Sequence, residues 1–130
     1  MTNKVIATAS ALSLALTAAH IFGGGGDVHV PLLASDASDV LKGFVSVIWH
    51  GVTANLLICS LMLLIAARNQ SYRMMLTGLV IANYLAFTGL FLFYGITRLG
   101  SVFLMVPWIS FAIIVSVAAV GLWVDRKGTL

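Results

Sequence analysis

Four apolar segments, each near the length of a bilayer-spanning helix, limit what this chain can fold into. They cover residues 5–22, 43–67, 74–97 and 102–124. About 20 helical residues cross a ~30 Å hydrocarbon layer, and a backbone in lipid must satisfy its own hydrogen bonds. Apolar residues make up 61% of the 130 residues and charged residues only 8%, too few to cover a water-soluble surface. The sequence therefore predicts an all-α integral membrane protein.

We expect a single domain, residues 1–130, built as an antiparallel four-transmembrane-helix bundle. The predicted spans are 4–23, 41–67, 73–97 and 101–124. Short connections make the second, third and fourth helices sequential neighbours, whereas a long connection, Gly23 to Lys42, follows the first helix. Ser38 or Asp39 is expected to cap the second helix. Pro107 is expected to bend the fourth helix, because proline removes a backbone donor.

The charged residues predict how the helices are oriented. The net charge is +3, but the basic residues lie at helix ends and form no patch with interleaved aromatic residues, so we expect no nucleic-acid partner. Five of them fall at one set of helix ends: Lys4, Arg68, Arg73, Arg126 and Lys127. Only Lys42 and Arg98 fall at the other set, with three aspartates. The positive-inside rule then predicts cytoplasmic termini and places residues 23–42 outside a bacterial inner (plasma) membrane.

The first apolar segment carries two patterns. It resembles a secretory signal, because Lys4 is followed by a short apolar stretch and by small residues before a possible cleavage site after Ala19. We interpret the segment as a retained helix. Polar residues recur along it at steps of three and four, at Ser10, Ser13, Thr17 and His20. That spacing puts them on one face, typical of a close-packing stripe; the alternative is a polar wall ending in a ligand histidine.

The absent residues also narrow the function. The chain has no glutamate, and none of its four aspartates lies within an apolar segment. Proton-coupled transporters use intramembrane acids, so this composition argues against them and against carboxylate-based hydrolysis. Cys59 is the single cysteine and cannot form an internal disulfide. No reaction is assigned, and whether the chain is an enzyme stays open.

All three histidines lie in the first fifty residues. His20 and His29 flank four glycines and Asp27, and His50 follows Trp49 in the second helix. An imidazole within hydrocarbon needs a partner and is a candidate functional group. Imidazole suits zinc and copper, and an aspartate adds an oxygen ligand. The predicted metal ligands are therefore His20, Asp27, His29 and His50, arranged around an outward-facing pocket.

The same pocket would suit two organic cofactors. A b-type haem needs axial imidazoles at similar depth, which His20 and His50 would supply, with Arg98 near a propionate. A quinone headgroup would need a histidine and a hydrogen-bond donor such as Tyr94 or Arg98. The predicted cofactor-binding residues are thus His20, His50, Tyr94 and Arg98, and the sequence does not separate metal, haem and quinone. The first hypothesis is a binding protein that serves a redox or respiratory membrane assembly.

The alternative hypothesis is a non-catalytic accessory subunit. A small bundle with an apolar exterior in the lipid bilayer would pack against a larger membrane complex or form a homo-oligomer. The histidines would then be structural. Inside the bundle, Asn55 and Asn83 are expected to hydrogen-bond near the membrane midplane. The cytoplasmic half is otherwise expected to hold almost no polar groups.

Overall fold

The computed structural model describes residues 2–127. It is 91% helical, with no strand among those residues. The elements are α1 (Lys4–Ala19), a π-helical segment (His20–His29), α2 (Val30–Ala34), α3 (Asp39–Arg68), α4 (Gln70–Leu99), a 3₁₀ turn (Val102–Leu104) and α5 (Pro107–Lys127). Four stretches are long and apolar enough to cross a membrane: Lys4–Ala34, Asp39–Arg68, Gln70–Leu99 and Pro107–Arg126. The all-helical prediction is confirmed.

The long helices form a closed ring in which α1 and α4 each pack against both α3 and α5. The core between them contains Leu56, Leu63, Val80 and Tyr84, each no more than 1% exposed. Helices α1 and α5 approach so closely that a Cβ added at Gly121 would lie 2.5 Å from a side-chain carbon of Ile6. Glycine at this position lets the two backbones meet, as is common at helix interfaces in membranes.

The first helix does not end at Gly23, and the predicted 23–42 loop is wrong. The chain continues as a π-helical segment and then as α2, so only residues 35–38 separate it from α3. Four glycines predict a loop because each costs a helix about 1 kcal/mol. The segment is helical nonetheless, and its backbone hydrogen bonds are made within the chain, as apolar surroundings would require. The cap of the next helix is confirmed: the Ser38 hydroxyl accepts from the backbone N–H of Leu41 at 3.3 Å.

Pro107 starts a helix and does not bend one. It is the first residue of α5, where the missing proline N–H would have had no helical partner. Before it, α4 ends at Gly100, whose φ of 69° is the left-handed conformation that glycine adopts most readily. The indole nitrogen of Trp108 donates to the carbonyl of Val102 at 3.0 Å and fixes the intervening 3₁₀ turn to α5.

Several polar side chains lie within the mainly apolar bundle interior. Ser10, Ser13 and Thr17 are buried, so the stripe predicted on the first helix faces inward. The hydroxyls of Ser60 and Ser13 hydrogen-bond to each other at 2.8 Å, and those of Ser13 and Tyr84 do so as well. This hydroxyl chain joins α1, α3 and α4.

The predicted amide pair is also present. The side-chain nitrogen of Asn55 donates to Oδ1 of Asn83 at 3.1 Å, which links α3 to α4. Cys59 is buried next to it, with Sγ 3.8 Å from the same Asn83 oxygen. Asn55 and Asn83 are partly buried, and each side chain has a hydrogen-bond partner.

The end of the bundle where α3 stops and α4 begins, the α3–α4 end, is held by buried polar contacts. Arg73 is 3% exposed, pairs with Asp125, and donates to the carbonyls of Ala66 at 3.0 Å and Ala67 at 3.2 Å. The backbone N–H of Asn3 also donates to the Ala67 carbonyl, at 2.8 Å. This half of the bundle, which was expected to hold almost no polar groups, therefore holds several buried polar contacts. The last carbonyls of a helix have no intrahelical donor, and the Arg73 side chain and the Asn3 backbone supply donors for those of α3.

Candidate functional site

The π-helical segment puts two histidines on one side of the chain. Its i→i+5 hydrogen bonds widen the turn, so residues nine apart, such as His20 and His29, are roughly two turns apart on the same side. Between them, Gly24 has no side chain, and a Cβ added there would lie 3.0 Å from Cη2 of Trp49. The Trp49 indole therefore packs directly on the helix surface between the two histidines.

Four rings make up what we call the His–Trp cluster: His20, His29, Trp49 and His50. The imidazole of His20 stacks on Trp49 with 4.1 Å between ring centroids and 20° between planes. His29 stacks on Trp49 at 5.3 Å and 2°. His29 also meets His50 edge-on, at 5.6 Å and 83°. The structure thus brings two histidines onto one tryptophan and places the third, His50, against the ring of His29.

Hydrogen bonds determine which ring nitrogens remain available. Nε2 of His20 lies 3.3 Å from the carbonyl oxygen of Trp49, which only accepts, so Nε2 carries the proton. Nε2 of His29 lies 3.1 Å from Ser46 Oγ. The Ser46 hydroxyl donates its single proton to the carbonyl of Lys42 at 2.8 Å, so it accepts from His29. In their neutral forms, both histidines are left with an unprotonated Nδ1.

His50 differs from the other two histidines. Its side chain is exposed, and it makes no hydrogen bond with any other residue in the described part of the chain. It lies eleven residues after Asp39, the first residue of α3, or roughly 16 Å along that helix. Both nitrogens of its ring are open to a group from outside the chain.

Three other predicted site residues are not joined to the His–Trp cluster. Asp27 is exposed and lies two residues before His29 on the same helix, so its side chain points to a different side. Tyr94 is 46% exposed and contacts the ring of Phe93. Arg98 is exposed at the end of α4. Within residues 2–127, none of the three makes a hydrogen bond, ion pair or ring contact with a histidine. Their roles as ligands stay predictions.

The structure brings together fewer possible metal ligands than the sequence predicted. Among the described residues, no group of three or more histidine, cysteine or acidic side chains is placed to hold a metal ion. The sequence analysis also did not include Trp49 in the site, although the structure places its ring at the centre of the cluster. A local signal existed: Gly24 follows His20 by four residues, which leaves one helical face open for a large ring.

A separate apolar groove lies between α1 and α5. Its volume is about 260 Å³. It is lined by Leu12, Ala15, Leu16, Ala19, Ser110, Ile113 and Ile114. No residue of the His–Trp cluster lines it, so the groove and the cluster are distinct features.

Comparison with protein-family models, curated proteins and solved structures finds no match to this chain. The functional proposal therefore rests on the chain's own residues.

Proposed function

We propose that this chain is an integral membrane protein, an antiparallel bundle of four transmembrane helices with both termini in the cytoplasm. Four helices of sufficient length and apolarity support insertion. Asn69 alone separates α3 from α4, which supports a reversal of direction between them. The excess of cations at the α3–α4 end supports its cytoplasmic location. The His–Trp cluster would then lie in the outer half of a bacterial inner membrane.

Within that bundle, we propose that the His–Trp cluster binds a metal-centred ligand through imidazole nitrogens. The observation that carries this proposal is the hydrogen bonding of His20 and His29. Metal-ligating histidines almost always donate their second ring nitrogen to a carbonyl or another acceptor, which orients the ring. Both residues make such a bond through Nε2, and this leaves Nδ1 free to ligate. His50 adds a third, exposed imidazole.

Haem fits this donor set better than a bare metal ion or a quinone. Zinc sites take three or four protein ligands, whereas haem iron takes one or two axial imidazoles. A quinone carbonyl needs a donor; the Nε2 protons of His20 and His29 are already used, which leaves His50 as the one histidine that could donate to it. A bound haem would supply one-electron chemistry, which suits a redox or respiratory membrane assembly.

The surface around His50 includes two glycines of α3. Gly43 lies about two turns before His50 and Gly51 directly follows it, and a Cβ added at either would meet nothing within 4 Å. Val47, one turn before His50, is 72% exposed. An apolar ring system could rest on this surface with its metal near the imidazole.

The test is the absorption spectrum and metal content of the full chain purified from its native membrane. We expect a Soret band with stoichiometric iron, lost in His50→Ala and retained in Asp27→Ala. The Asp27 variant is a matched control, because Asp27 is exposed and does not contact the histidines. Wild-type protein with neither a Soret band nor stoichiometric metal would contradict this proposal.

The second candidate is an accessory subunit, favoured by the same exposed surface of α3. Gly43, Gly51 and Ala54 are exposed small residues that would let a partner helix approach closely, with His50 hydrogen-bonded across the interface. The partner would be a larger membrane complex or a second copy of the chain. Gly51→Leu separates the two candidates. An accessory role predicts loss of a co-purifying partner in this variant, with no chromophore in the wild type.

A further inference from the structure

The exposed charge at the α3–α4 end is predominantly positive. Lys4, Arg68 and Arg126 are exposed there. The nearby acid, Asp125, pairs with the buried Arg73. The other three aspartates precede or begin α3, a 30-residue helix roughly 45 Å long, and therefore lie at its far end. The sequence contains no glutamate.

Two hydrogen bonds from Asn3 bring these cations together. Its backbone N–H donates to the carbonyl of Ala67 at 2.8 Å, which places Lys4 close to Arg68. Its side-chain amide donates to the carbonyl of Gly121 at 2.8 Å, which ties the same segment to the last turns of α5, where Arg126 lies. Cations far apart in the sequence thus converge on one end of the bundle. We call Lys4, Arg68 and Arg126 the basic end.

Exposed aromatic rings lie beside the basic end. Trp123, three residues before Arg126, is 57% exposed, and Tyr72, four residues after Arg68, is 52% exposed. Tryptophan and tyrosine favour the headgroup level of a bilayer, where an apolar ring and a polar tip are both accommodated. Their position indicates that the cations lie at headgroup level as well.

We propose that the basic end binds the headgroups of anionic phospholipids. The inference rests on the proposed insertion in a bilayer, and it adds a lipid class and its ligating residues. Lys4 and Arg68 are exposed cations with no acid at hydrogen-bonding distance in the described part of the chain. A headgroup that carries net negative charge complements them. Each cation near such a surface contributes roughly fivefold in affinity.

The test is native mass spectrometry of the detergent-solubilised full chain, titrated with phosphatidylglycerol or with zwitterionic phosphatidylcholine. We expect tighter binding of phosphatidylglycerol, and a roughly 30-fold loss of that affinity in Lys4→Gln/Arg68→Gln. Phosphatidylcholine binding should stay unchanged. Excess inorganic phosphate should not compete, which separates a lipid site from a free-phosphate site. Competition by phosphate, or equal affinity for the two lipids, would overturn the inference.

The matched control is Lys42→Gln/Arg98→Gln, which removes the same number of cations from the opposite ends of α3 and α4. It should bind phosphatidylglycerol as the wild type does; an equal loss in this control would refute a specific basic end. Circular dichroism checks that both variants keep their helices. Flotation with phosphatidylcholine vesicles tests insertion separately. A chain that does not float refutes the membrane proposal, whereas one that floats without lipid preference refutes only this inference.

Discussion

The imidazole of His20 lies 4.1 Å from the indole of Trp49, with the two ring planes 20° apart. The backbone carbonyl of the same Trp49 accepts the Nε2 proton of His20. One residue of α3 therefore fixes both the plane and the tautomer of a histidine on the preceding helix. His29 stacks on the same indole, so the orientation of two candidate ligands depends on one side chain.

Replacing Trp49 should weaken ligand binding without removing a ligand atom. Trp49→Ala leaves the carbonyl that His20 uses but removes the ring on which both imidazoles stack. Loss of a supporting group of this kind typically costs about 10- to 100-fold in metal affinity. Haem titration followed at the Soret band measures the change. Trp123→Ala, at the far end of the bundle, should leave the affinity unchanged, and an equal loss in the two variants would contradict a specific role for Trp49.

Gly24 and Gly26 should respond differently to the same substitution. A Cβ at Gly24 would lie 3.0 Å from Trp49, whereas one at Gly26 would meet nothing within 4 Å. Gly24→Leu should therefore displace the indole, shift tryptophan emission and weaken ligand binding. Gly26→Leu should leave both properties near wild type. It should also stabilise the helix by about 0.5–1 kcal/mol, because leucine loses less backbone entropy than glycine on folding. If both variants behave alike, Trp49 does not pack on Gly24.

The parts of this fold that could be predicted from the sequence depend on local patterns. The stripe of Ser10, Ser13 and Thr17 follows helical spacing, so its common face could be recognised before its partners were known. The Asn55–Asn83 pair was predictable because two amides at similar depth in an apolar bundle have few other partners. The cap at Ser38 is likewise a local signal.

The remaining features depend on contacts between distant segments. Four consecutive glycines indicate a loop by propensity, whereas the observed helix satisfies its backbone hydrogen bonds and lets Trp49 pack against Gly24. Arg73 lies near a helix end, where an arginine usually points to water. Its burial follows from the position of Asp125, 52 residues later. The availability of Nδ1 in His29 depends on the direction of the Ser46 hydroxyl, which no spacing rule gives.

The hydroxyl chain across α1, α3 and α4 should act as a unit. Tyr84→Phe and Ser13→Ala each remove one side of the same buried hydrogen bond. Each should lower the free energy of unfolding by about 1 kcal/mol, or more where the remaining hydroxyl stays unpaired. The double variant should lose less than the sum, because the second change removes a group that has already lost its partner. Denaturation in mild detergent with increasing SDS measures these values, and strict additivity would show that the bond contributes nothing.

The pair of the buried Arg73 with the partly exposed Asp125 should be the most sensitive contact at the α3–α4 end. Asp125→Asn removes the carboxylate that pairs with Arg73, and because Asp125 is 28% exposed the cost should lie below the roughly 3–5 kcal/mol of breaking a fully buried pair. Arg73→Met also removes two donors from the carbonyls of Ala66 and Ala67. The double variant should lose less stability than the sum of the two single losses, since it no longer contains an arginine that has lost its carboxylate. Arg68→Met is the matched control: that arginine is exposed at the same end, so its unfolding midpoint in SDS should stay near wild type. A midpoint for Asp125→Asn equal to that of Arg68→Met would show that the pair does not stabilise the bundle.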